Sequence, residues 1–255
     1  MKSFSILIVG VFVLICSSAW AQYARFPQTG TIEFEKKINM HAVIKRTINK
    51  ENEAYYVPMF EQYKKTQPQF KTSKSTLFFS KDKSLYVPVE DKGNAMFSWH
   101  PATMQVNTVY TDLSAKTSSI QKKVFEETFL VKDSIRNIKW KITDETREIA
   151  NYTCRRANAV IMDSIYVVAF FTEQIPVSAG PETFAGLPGM ILGLALPHEN
   201  VTWFATSVTD KPLEKPIVVP AKGKVVNNAG LRATLEKSLK SHKDFMATAL
   251  KVFML

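Results

Sequence analysis

Four histidines and Cys154, one of two cysteines, are the side chains of this chain best suited to soft-metal chemistry. His41, His100 and Cys154, with Met40 beside the first, are the set that a copper- or zinc-like ion would use, because imidazole, thiolate and thioether all bind such ions. No two of His41, His100, His198 and His242 stand at a metal-ligand spacing, and His198-Glu199 lacks the second histidine of H-E-x-x-H. A metal site would have to be assembled by the fold from distant segments. Hydrolytic chemistry has less to work with. No G-x-S-x-G elbow occurs, so a serine nucleophile has no recognisable seat. Cys154 would need a lowered pKa and a positioned base to act as a nucleophile. Arg155 and Arg156 follow it, but neighbours on a strand point to opposite faces. Glu126-Glu127 and Asp144-Glu145 offer paired carboxylates, the equipment of glycoside hydrolysis. Adjacent acids diverge on a strand, and these pairs read as solvated charge. Trp99, Trp140 and Trp203 suit a sugar-stacking platform or a core, with packing the expectation for each. No catalytic residue and no cofactor is assigned on these grounds.

Strands must position whatever chemistry exists. Short runs rich in Val, Ile, Thr, Phe and Tyr recur between charged or Gly/Asn/Asp/Pro punctuation. "GTIEFEKKINMHAVIK" sets Ile32, Phe34 and Lys36 on one face and Thr31, Glu33 and Glu35 on the other, the alternation of a half-buried strand. "STLFFSKDKSLYVPVE" reads as a hairpin turning at Lys81-Asp82-Lys83, anchored by Leu77, Phe79, Leu85 and Val87. Two stretches depart from this pattern. Residues 51–70 suit a short helix that Pro58 would start or interrupt. Residues 229–252 carry Leu231, Leu235, Leu239, Phe245, Met246 and Leu250 mostly three or four apart, the pattern of one amphipathic C-terminal helix. A Pro- and Lys-rich connector, 211–228, precedes it.

"GPETFAGLPGMILGLALPHEN", residues 180–200, concentrates glycine, proline and apolar side chains. It lacks the spacing of a phosphate loop, and its apolar run is too short to cross a membrane. A structural corner remains. Leu187-Pro188-Gly189-Met190 has proline and glycine where a type II turn wants them, with Gly189 expected at positive φ. "MILGLAL" then reads as a strand buried on both faces, "PHEN" as its exit turn and "VTWFATSV" as its antiparallel partner. Gly193 implies a bulge or a close approach, with Trp203 the expected neighbour.

At the start, Lys2 precedes an apolar run from Phe4 to Cys16, and Ala19-Trp20-Ala21 supplies an A-x-A site. The expectation is a signal peptide over 1–21 cleaved near Ala21, leaving 22–255 as a single domain exported to the periplasm or cell surface. Ile15 before Cys16 argues against a lipoprotein. Cys154 then has no cysteine to pair with inside the chain and is expected to be buried. The formal charge of +10 is spread in pairs such as Lys36-Lys37 and Arg155-Arg156 rather than gathered in a stripe, so no nucleic acid partner is expected. No transmembrane segment is expected after signal removal.

"EQIPVSAGPETFAGLPGMILGLALP", preceded by "WKITDETREIANYTCRRA", resembles the GLPGLI family of exported proteins from Bacteroidota-type bacteria. The residues carrying the likeness are Trp140, Tyr152, Cys154, Ile175, Pro176, Gly180, Pro181, Gly186, Leu187, Pro188, Gly189, Met190 and Ile191. Met190 stands at the fifth position of the family core, and Asn151 and Arg156 replace a frequent glycine and lysine. "GTIEFE" and "NTVYTD" extend the likeness. The resemblance implies a mainly β (α+β) fold, a curved antiparallel sheet or half-barrel with the C-terminal helix against it. It implies no general activity. The expected role is non-enzymatic, as a binding or accessory protein working with an outer-membrane transport protein or a small apolar ligand. The alternative is metal handling, and an unrecognised hydrolase comes last. Asp133-Ser134-Ile135 and Asp163-Ser164-Ile165 also match a short O-glycosylation acceptor pattern.

Overall fold

The computed structural model describes residues 26–89, 97, 100–240 and 243–255, with the side chains of 243–246 excepted. The expected signal peptide and its cleavage near Ala21, Cys16, Trp99, His242 and the side chains of Phe245 and Met246 lie outside the described residues.

The chain is mainly β. In order it forms β1 (Gly30–Asn39), α1 (Met40–Thr47), α2 (Glu53–Thr66), β2 (Phe70–Phe79), β3 (Lys83–Pro88), α3 (Pro101–Met104), β4 (Asn107–Asp112), β5 (Thr117–Val124), β6 (Glu127–Ser134), β7 (Lys141–Ile149), β8 (Tyr152–Ile161), β9 (Ile165–Thr172), β10 (Met190–Leu196), β11 (Val201–Thr209), β12 (Lys224–Val226), α4 (Asn228–Ser238) and α5 (Lys243–Phe253). Among the described residues twelve strands join one open, curved sheet in the order β12-β6-β5-β4-β3-β2-β1-β11-β10-β9-β8-β7. Most neighbours are consecutive antiparallel strands, joined by short turns except where α1 and α2 lie between β1 and β2, α3 between β3 and β4, and residues 173–189 between β9 and β10. The exceptions are β1, which pairs with both β2 and β11 and joins the two halves, and β12, which pairs with β6 in parallel.

Alternation sets the inner face. On β1, Gly30, Ile32, Phe34, Lys36 and Ile38 are buried, and the residues between them are less so. The 81–83 turn forms as expected, but only Leu77 and Phe79 of its four expected anchors face the core. On β3 the buried residues are Ser84 and Tyr86, while Leu85 and Val87 lie on the opposite face. The period of two forces this choice: Tyr86 pairs with Leu77, so Leu85 shares its face with Phe78.

β10 is buried along nearly its whole length, as expected of "MILGLAL". Its register shifts between Ile191 and Gly193, and a Cβ at Gly193 would come within 2.8 Å of Ile149 Cδ1 and of the Phe204 ring. Those two side chains, rather than Trp203, make the close approach. The exit turn is a 3-10 turn, Pro197–Glu199, closed by Asn200 at φ +58, and β11 returns antiparallel.

Gly189 requires a correction. Positive φ among the glycines falls on Gly186 (+95) and Gly223 (+121), not on Gly189. Gly189 is needed for closeness: a Cβ there would lie 2.7 Å from the Thr172 carbonyl carbon and 3.0 Å from Glu173 Cα. The single helix expected over 229–252 is also two helices, α4 and α5, which contact each other. One straight helix of that length would extend about 36 Å and carry its far end away from the sheet. Folding back brings Leu231 and Leu235 of α4 together with Ala249, Val252 and Phe253 of α5 into the core.

Candidate functional site

The inner face carries charge where an apolar core would be expected. Lys36 is 5% exposed, Lys122 3% and Glu182 6%. Each reaches this place by a different route. Lys36 occupies an inward position of β1, opposite Trp203 on β11. Lys122 is an inward residue of β5, opposite Asn107 at the start of β4. Glu182 comes from the segment between β9 and β10, the same stretch that bears the glycine-proline motif.

Glu182 is the hub. Its Oε2 accepts a hydrogen bond from Asn107 Nδ2 at 3.0 Å, and its Oε1 lies 3.9 Å from Lys36 Nζ. The Lys36 ammonium also stands over the Trp203 ring, 5.0 Å from its centroid. Lys122 Nζ donates to the Phe253 carbonyl oxygen at 2.5 Å. Burial pulls both amines below the usual lysine range, Lys122 to about 8, and the Glu182 charge opposes that shift in each. Tyr86 is buried against the same centre, and burial, reinforced by Glu182, raises its phenol above the ordinary range. One carboxylate faces two ammonium groups. The carbonyl end of α5, the negative pole of that helix, supplies further compensation.

Backbone geometry shows how firmly Glu182 is placed. It sits at φ +53, a conformation that costs a non-glycine residue about 1–3 kcal/mol unless its surroundings impose it. The segment is tied down on both sides. Met190 N–H donates to Ile175 O and Ile191 N–H to Ala179 O, while Gly186 N–H donates to Ser178 Oγ at 3.1 Å. Trp140 Nε1 donates to Ala185 O at 2.9 Å. A Cβ at Gly180 would come 2.8 Å from Ile191 Cβ. Ile175, Gly180, Pro181, Leu187, Met190 and Ile191 are buried, whereas Pro176, Gly186 and Pro188 reach the surface. The motif residues and Trp140 therefore form one corner that delivers Glu182 to the inner face. Tyr152 and Cys154 stand apart from it on β8.

The expected metal donors do not converge. His41 packs edge-on against Phe60 and Tyr63, with ring centroids 5.8 and 6.0 Å away. His100 Nδ1 accepts from Ala102 N–H at the start of α3. Cys154 is buried on β8, its Sγ donating to Tyr152 O, and burial followed by the nearby Glu148 charge pushes its thiol up to about 12. Among the described residues no three His, Cys, Asp or Glu side chains gather as a metal site. A thiol so raised is also a poor nucleophile. His198 lies exposed in the 3-10 turn. Glu145 pairs with Arg156 and Glu127 with Lys224, both at the surface. Trp203 is core. Asp133 accepts from Ser134 and Asn228 N–H groups, and Asp163 lies in a hairpin turn at φ +59.

His100 carries a testable pH signature. Burial, assisted by the charge of Arg46, lowers its pKa to about 4. A histidine depressed in the folded state binds fewer protons than its unfolded counterpart between pH 4 and 6.5, so stability rises with pH across that window. Unfolding free energy is expected to fall by about 3 kcal/mol from pH 6.5 to 4 through this residue. Denaturant titrations of the parent and of His100→Asn should show that component only in the parent.

The outer face bears a second feature. The connector passes over β1, β2 and β3 and leaves a groove of about 510 Å³ lined by Phe78, Leu85, Leu213, Pro216, Ile217 and Val218, among others. Lys211, Glu214 and Lys215 also line it. Leu85 faces this groove because Tyr86 takes the inner position.

Fold and site together define an open antiparallel sheet whose inner face is filled around a buried polar centre. A family described as "Protein of unknown function (Porph_ging)" matches residues 159–193. That stretch holds the motif corner from Ile175 to Ile191 but not Trp140, Tyr152 or Cys154. Two solved structures of PNGF-II, in C2 and P21 space groups, are similar to this chain over 87% of its length, at 14% and 15% identity and TM-scores of 0.50 and 0.49. The chain spans about a third of PNGF-II, 33% and 34% in the two structures. The first of these likenesses concerns the fold alone. No curated protein matches the sequence.

Proposed function

We propose that this chain is an exported protein of the cell envelope, released by cleavage near Ala21, that binds a small apolar ligand and catalyses no reaction of its own. The observation that carries this reading is the groove beneath the connector. Its volume of about 510 Å³ falls in the range of small-molecule sites, and its lining pairs aliphatic and aromatic side chains with a few charges. Lys211 and Lys215 favour an anionic head on an apolar chain, so a single-chain anionic amphiphile is the ligand class that fits best. The filled inner face argues against a ligand held inside the curve. Metal handling lacks a gathered donor set among the described residues, and work with an outer-membrane transport protein is compatible with the groove without being required by it.

The test is binding of a fluorescent fatty-acid analogue to the chain from Gln22 onward. Saturable binding, weakened at least tenfold by Phe78→Asp with little loss of stability, is the expected result, because Phe78 is only partly buried on the outer face. Binding that is absent, or unchanged by Phe78→Asp and Leu213→Asp, would remove the groove as the ligand site.

A further inference from the structure

Four consecutive main-chain oxygens, at and just past the end of α5, each receive a side-chain donor from a different part of the chain. Gln105 Nε2 donates to Val252 O, Lys122 Nζ to Phe253 O at 2.5 Å, Arg136 to Met254 O at 2.5 Å and Thr183 Oγ1 to Leu255 O at 2.7 Å. The last carbonyls of a helix have no partners within it, and they are ordinarily satisfied by water or by a glycine cap. Here the protein replaces both with a matched row of donors, two of them cationic and facing the negative pole of the helix. The donors also have their own supports. Lys122 lies on β5, which is paired on both sides, and Thr183 adjoins Glu182 in the tied motif corner. α5 itself has only eleven residues, a length at which an isolated helix is marginal in water. Its conformation is therefore owed to this seat.

Beside Val252 and Leu255 is a cavity of about 20 Å³, also lined by Lys36, Arg46, Gln105 and Trp203. That space has room for about one water. Trp203 and Ser75 lie beside the buried Tyr86 hydroxyl, which bonds to both, and Asn107 Oδ1 is buried without a hydrogen-bond partner among the described residues.

From this we infer that the mouth of the curved sheet is a peptide-binding site that recognises the carbonyl end of a short helix finishing in apolar residues, and that residues 243–255 are its intramolecular occupant. The occupant is held by that row of hydrogen bonds and by the buried anchors Ala249, Val252, Phe253 and Leu255, with Phe253 against Phe125 at 5.5 Å between centroids, and on this inference it exchanges as one unit. This inference does not depend on the groove of the outer face.

The experiment places a specific protease sequence after Lys240 in the otherwise full chain and cleaves it. The released 241–255 peptide is expected to stay bound after cleavage and to exchange with an excess of a labelled synthetic peptide of the same sequence. Thr183→Val and Arg136→Met should each weaken the labelled peptide at least tenfold, while hydrogen exchange in β8 to β10 stays as in the parent. Lys122→Met is a poor first choice, since it leaves Glu182 undercompensated and risks the fold. A peptide that never exchanges in days of incubation would make α5 a permanent part of the core and overturn the inference. Equal affinity in the parent and both variants would overturn it as well.

Discussion

Replacing Glu182 with alanine is expected to destabilise the chain by about 3–5 kcal/mol, the cost of removing one partner from a buried charge cluster. Lys36 and Lys122 remain behind, both nearly inaccessible to water, and Asn107 Nδ2 loses its acceptor. Both lysines would respond by giving up protons more readily, because Glu182 is the group that raises their pKa values against burial. The pH dependence follows in sign. A lysine depressed in the folded state costs stability fully below its folded pKa, and that cost disappears as pH rises past the unfolded value. The gap between Glu182→Ala and the parent should therefore narrow from pH 7 to pH 10. Chemical denaturation at several pH values measures it. A gap that stays constant or widens would show that the two amines are not what Glu182 holds in place.

Gly189→Ala is expected to cost about 3 kcal/mol, at the upper end of what an inserted methyl does in a tightly packed place. The added Cβ would meet backbone atoms of Thr172 and Glu173, which cannot rotate away as a side chain would. Gly186→Ala provides the contrast. Its φ of +95 resists a side chain, but its Cβ would meet nothing nearer than Trp140 Nε1 at 3.6 Å, so a loss of about 1–2 kcal/mol is expected. Thermal and denaturant unfolding of the pair test the ranking. If Gly186→Ala proved the more damaging, backbone conformation rather than close approach would govern the corner.

These two residues show what the sequence could and could not convey. The corner was legible as a corner because glycine, proline and a continuous apolar strand have few other uses together. Its internal geometry was not, since the proximity of Gly189 to Thr172 arises from strand pairing between β9 and β10. The alternation of β1 placed Lys36 on the face of Ile32 and Phe34 correctly. Its burial was out of reach, because the carboxylate that makes burial tolerable lies in a loop far along the chain. Lys122 and Glu182 were missed for the same reason: each looks like a surface charge in its own neighbourhood. Leu85 and Val87 read as core anchors although Tyr86 takes the inner face, because either Leu85 or Tyr86 could serve as the apolar partner of Leu77. The two-residue hairpin after β7 and the three-residue hairpin after β8, with Ala150-Asn151 and Met162-Asp163 all at positive φ, carry no glycine to announce them.

The most direct measurement is chemical-shift mapping on isotopically labelled chain from Gln22 onward, titrated with an anionic single-chain amphiphile. Perturbations confined to Thr31, Phe78, Leu85, Thr209 and the connector residues 211–218 are the predicted result, with the Lys36, Lys122 and Glu182 centre unmoved. Perturbations centred on Trp203 and the end of α5, or none at saturating ligand, would contradict the assignment of ligand binding to the outer face.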